Sequence, residues 1–64
     1  MNLFIGENIK RLRREKGVTQ ETLAECLHVS AAAVSKWERG ESVPDIYILT
    51  QIADLYGITV SNLI

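Results

Sequence analysis

Apolar positions recur at helical spacing along the whole chain. Ile5, Ile9 and Leu12 lie on one side of a predicted first helix, and Gly17 follows where a helix end favours a left-handed residue. Thr19 is placed to cap a short second helix with Leu23, Ala24 and Leu27 as its stripe, and Glu21 suits the positive end of its dipole. His28 and Val29 come next, then Ser30 as a further cap. A third helix is expected over Ala31 to Arg39, with Ala33, Val34 and Trp37 on one side and Gly40 as its stop. Glu41-Ser42-Val43-Pro44 breaks the pattern. Asp45 then opens a fourth helix carrying Leu49, Ile52, Ala53 and Tyr56 and ended by Gly57. Thr59 caps a last turn with Val60, Leu63 and Ile64. Nothing alternates with a period of two, so no strand is placed and the expected fold class is all-α, with five helices in a single domain over 1–64.

Composition agrees with a small globular unit, since 47% of the 64 residues are hydrophobic and only 23% charged, which excludes a disordered chain. A chain this short buries only about 60% of the surface its unfolded form exposes, so a second subunit is an expected source of stability. One Cys forms no internal disulfide, and one Cys with one His falls short of a zinc ligand set, so neither metal nor cofactor is expected. No apolar run approaches the roughly 18 residues of a membrane span, and Met1-Asn2-Leu3-Phe4-Ile5 lacks the basic start of an export signal. A cytoplasmic protein with no membrane association is therefore expected.

A net charge of −1 and a pI near 5.7, taken alone, argue against a polyanionic partner. The distribution of charge reverses this. All seven bases lie between Lys10 and Arg39 against four acids there, +3 for that window, whereas Gly40 to Ile64 carries no base and three acids, −3. One face is thereby suited to an anion and another to something else.

Two helices of about eight residues joined by about three have the proportions of a helix-turn-helix, whose second helix fits a DNA major groove. The segment VTQETLAECLHVSAAAVSKWERG, Val18 to Gly40, resembles the helix-turn-helix of the Cro/phage-repressor family, also called the XRE family. The likeness extends through IGENIKRLRREKG before it and PDIYILTQIADLYGITVSNLI after it. It is carried by Arg13, Gly17, Gln20, Leu23, Ala24, Val29, Ser30, Trp37, Glu38, Gly40, Pro44 and Ala53 at matching spacings. The resemblance implies a five-helix phage-repressor-like domain with a central helix-turn-helix that binds double-stranded DNA as a dimer and regulates transcription, most simply as a repressor.

The resemblance also assigns residues. Gln20, with Thr19 before it, corresponds to the phosphate-binding start of the second helix, where free amides and the helix dipole favour an anion. The third helix corresponds to the recognition helix, with Ser30, Ala31, Ala32, Ser35, Lys36 and Arg39 on its DNA side. Ala31 and Ala32 depart from the usual pattern, offering either methyl surface to thymine or simply helix propensity, so direct readout is thin and DNA shape gains weight. Lys36 serves guanine or phosphate, and Arg39 complements the helix end as well as reaching phosphate. Arg13 and Glu38 are implied to pair, tying the first helix to the end of the third. His28 stands where relatives usually carry Gly and is expected to take a positive φ. Trp37, spaced with Ala33 and Val34, points inward instead of forming a stacking platform for unpaired bases.

Cys26, His28 and Ser30 are close in sequence, but a helix end and a tight turn give them no common target, so no catalytic residue is assigned and no enzyme is expected. Cys26 falls opposite Leu23 and Leu27 and reads as a surface thiol. Ile48 and Leu55 fall outside the core stripe of the fourth helix; with Leu63 and Ile64 they are the expected homodimer interface. Two other functions fit the same residues: a protein-interaction module such as an antitoxin, favoured by the acidic second half, and the DNA-binding head of a regulator with a further C-terminal domain.

Overall fold

A computed structural model describes residues 4–64; the opening Met1, Asn2 and Leu3, on which part of the export expectation rests, lie outside the described residues. The chain forms α1 (Ile5–Glu15), α2 (Gln20–Leu27), α3 (Ala31–Glu38), α4 (Ile46–Tyr56) and α5 (Val60–Leu63), with no strand among the described residues. Four starts are made as the sequence predicts. Thr19, Ser30, Asp45 and Thr59 take extended backbone, and their side-chain oxygens accept from the amides of Thr22, Ala33, Ile48 and Asn62 at 3.1, 3.1, 2.9 and 3.2 Å. α2 ends at His28 with φ +59, a left-handed turn made by a residue that carries a Cβ. None of these helices is long and apolar enough to cross a membrane.

The stripes converge on one core: Ile5, Ile9 and Leu12 from α1, Leu23, Ala24 and Leu27 from α2, Val34 and Trp37 from α3, and Leu49, Ile52 and Ala53 from α4. Trp37 points inward, 7% exposed. α1 crosses the end of α3 so closely that a Cβ on Gly6 would stand 2.0 Å from the carbonyl oxygen of Trp37, so only a glycine lets these two backbones meet.

One expectation for the dimer interface is corrected by the structure. Leu63 is fully buried and belongs to the core, because Asn8 Nδ2 donates to the Leu63 carbonyl at 2.8 Å and holds α5 against α1. Ile48 is partly buried and packs against the core, which leaves only part of its side chain open to a second copy. Leu55 and Ile64 do remain open, each 48% exposed. The most exposed large apolar side chains are others, Val43, Ile46 and Tyr47, at the entrance to α4.

Candidate nucleic-acid interface

α2 and α3 are joined by the three residues 28–30 and share the core through Leu23, Ala24, Leu27, Val34 and Trp37, so each turns its remaining face outward. Their mutual setting is fixed by one buried carboxylate. Glu38, with a side chain only 3% exposed, accepts Arg13 Nε at 2.7 Å on Oε2, and on Oε1 it accepts Arg13 Nη2 and Gln20 Nε2, each at 3.0 Å. Arg13 Nη1 also donates to the Val18 carbonyl at 2.8 Å, which binds the loop before α2 to the same guanidinium. One side chain each from α1, α2 and α3 thus meets at a single point.

Burial by itself would raise the Glu38 carboxyl, but the hydrogen bonds from Arg13 and Gln20 and the charge of Arg13 outweigh it and leave the group below the usual carboxylate range. The Arg13 guanidinium, hydrogen-bonded to Glu38, is held above its ordinary value. Both partners are therefore charged at neutral pH, and the bidentate geometry makes this a strong pair.

The residues expected to contact DNA differ in how far the structure leaves them open. Thr19 is exposed at the start of α2, where its hydroxyl accepts the Thr22 amide and donates to Thr22 Oγ1 at 3.0 Å. Gln20 is half-buried and its amide nitrogen donates to Glu38; the Thr22 amide of this first turn is taken by Thr19, so an anion at this helix start would be met by the amides that precede Thr22. Along α3, Ala32, Lys36 and Arg39 are exposed and Ser35 is half-buried; Ser30 is exposed as the cap. Ala31 is different. It is partly buried against the core, which gives its methyl group a packing role on the inner edge of the helix.

Two links at this site were missed by reading the sequence alone. Gln20 is bound to Glu38 across 18 positions, a separation at which no local pattern operates. Arg39 is bound to Glu41 at 2.6 Å, and the opposite charges flanking Gly40 were a visible signal for it. On α1, Lys10, Arg11 and Arg14 are exposed near one another, with Arg11 paired loosely to Glu15 at 3.4 Å, and Lys16 is exposed just past the helix end.

The Helix-turn-helix family model HTH_3 matches residues 9–63. The chain is 41% identical over 58 residues to the HTH-type transcriptional activator BcrR of Enterococcus faecalis, covering 91% of this chain and 28% of that protein. In three dimensions it is similar to a transcriptional regulator from Listeria innocua, with a TM-score of 0.90 and 32% identity over 94% of this chain and 56% of that one. It is also similar to the P22 c2 repressor in its complex with a synthetic operator, with a TM-score of 0.89 and 27% identity over 98% of this chain and 96% of that one. The chain thus spans well under two thirds of the length of its Enterococcus relative. Its five helices, its capped helix-turn-helix and its match over residues 9–63 place the chain in the HTH_3, or XRE, family of helix-turn-helix domains.

Proposed function

We propose that this domain, folding as one unit over 1–64, binds double-stranded DNA as a homodimer and regulates transcription, with α3 in the major groove and no catalytic role. The observation that carries this is the pair of helices locked together by Glu38: α2 starts at the exposed Thr19, where helix-start amides suit an anion, and the exposed Lys36 and Arg39 lie on α3 and just beyond its end. Phosphate suits the first and base edges or phosphate the second. The P22 c2 repressor, which is similar over nearly its whole chain, was crystallised with its operator, which supports the same use of this surface. Repression needs only that the bound dimer occupy the DNA, and the cytoplasm is the compartment in which such a protein meets it.

The second subunit is assigned to the acidic half. Leu55 and Ile64 are exposed there, and Leu55 stands at the rim of a shallow groove of about 300 Å³ formed with Val18, Cys26 and Tyr56. One molecule measures 28 × 25 × 21 Å, less than the roughly 34 Å of one DNA turn, which leaves room for two copies at successive major grooves on one face of the duplex. Selection of bound duplexes from a random pool tests this. The expected product is a two-fold symmetric site with half-sites roughly 10 base pairs apart. Binding should weaken with salt at a log–log slope of roughly −4 to −7. Recovery of no sequence in preference to another would overturn the assignment and favour a protein partner or a further domain as the source of specificity.

A further inference from the structure

α3 ends in a polar network that DNA binding by itself does not require. The Arg39 guanidinium donates through Nε and Nη2 to the two carboxylate oxygens of Glu41, at 2.6 and 3.2 Å, and through Nη1 to Ser35 Oγ one turn earlier. All three of its nitrogens are engaged, and so is Ser35. The backbone puts the carboxylate there. Gly40, at φ +76, turns the chain back on α3, the Gly40 amide donates to the Trp37 carbonyl at 3.1 Å, and the Glu41 amide donates to the Lys36 carbonyl at 2.9 Å. That pair of bonds is a Schellman closure, and it holds Glu41 over the last turn of the helix.

Two oxygens of one anion on the edge of a guanidinium is also how arginine takes a phosphate. The Arg39 and Glu41 side chains are 53% and 54% exposed, so the pair is wet and held weakly enough to be exchanged for another anion. Lys36, on the same face, also stabilises the charged form of Glu41, after the hydrogen bond and charge of Arg39. The carboxylate therefore lies within the field of both cations of α3.

We propose that Glu41 is a built-in phosphate mimic: it occupies Arg39 and, through it, Ser35 in the free protein, and the DNA backbone must displace it, so that Glu41 sets an upper limit on affinity. The proposal rests on α3 being the DNA-facing helix. Its consequence is a domain whose contact with any duplex is weakened through one acid, while the core and the buried Glu38 site are untouched.

The test is a double-mutant cycle on the whole chain, with a 30-base-pair mixed-sequence duplex as the probe and Kd measured across a salt series. Glu41→Gln is expected to bind roughly 3- to 10-fold more tightly at low salt, with the slope of log K against log salt steeper by about one, because Arg39 then adds a phosphate contact. In an Arg39→Gln background the same change should have little effect. An equal gain in both backgrounds would mean that Glu41 merely repels DNA by its charge, and would overturn the mimic. So would wild-type binding with no gain in Glu41→Gln. Failure of every variant to bind duplex, with thermal unfolding unchanged, would instead remove the assignment of α3 to DNA and the mimic with it.

Discussion

At the scale of single residues, Glu38 is the side chain on which the site depends. A carboxylate buried against Arg13 cannot lose its charge or its partner without leaving a guanidinium in a nearly dry place. Glu38→Gln is expected to lower stability by about 3 kcal/mol at neutral pH, as measured by chemical denaturation. The sign of the pH effect follows from the depressed carboxyl. Its contribution is fully present above the ordinary glutamate value of roughly 4.3 and disappears as pH falls through the lower value of the folded state. The wild type and the variant should therefore converge in acid; a gap unchanged down to pH about 3 would place the stabilisation elsewhere. The partnership of Arg13 with Glu38 was legible through the family resemblance. That Gln20 completes it was not, because a pattern that marks Gln20 as polar at a helix start carries no record of a side chain 18 positions later.

At the scale of helices, local chemistry was the most readable part of the chain. A cap acts on the amide three residues ahead of it, so Thr19, Ser30, Asp45 and Thr59 could all be recognised without knowing the fold. The left-handed turn at His28 was legible through the family resemblance instead. Tertiary contacts were less legible. α5 has only four residues, too few for a periodicity to show which side faces inward, and Leu63 was accordingly assigned to a surface it does not reach. Gly6 went unnoticed because its reason lies in another helix. Gly6→Ala offers α1 a better helix former, a gain of roughly 1 kcal/mol, yet it drives a methyl into the Trp37 carbonyl. The second effect should win. A net loss of about 1–3 kcal/mol in thermal unfolding is expected as α1 is pushed away from α3, and a variant as stable as the wild type would show that the two backbones can separate freely.

At the scale of the molecule, charge is divided along the chain: every Lys and Arg lies between Lys10 and Arg39, and Gly40 to Ile64 carries only acids. Five of the seven bases lie in α1 and α3 and the other two, Lys16 and Arg39, directly follow those helices, while α2, α4 and α5 carry none. Under the proposed function, the acidic half joins the two copies, with Leu55 and Ile64 among its exposed apolar side chains. Leu55→Glu should then raise the monomer fraction seen by sedimentation without lowering the unfolding temperature, and identical sedimentation of the two proteins would remove Leu55 from the contact. Val43, Ile46 and Tyr47, more exposed than Leu55, escaped the sequence reading because they stand at a helix entrance where no stripe has yet been established. The Glu38 knot also bears on the thermodynamics of recognition. Since α1, α2 and α3 are already fastened to one another, the ordering of their backbone takes place during folding, and a ligand meeting α3 has only the rotamers of long surface side chains such as Lys36 and Arg39 left to immobilise. The domain should meet its target as a rigid body, with a heat-capacity change on binding that reflects surface desolvation and no contribution from coupled folding.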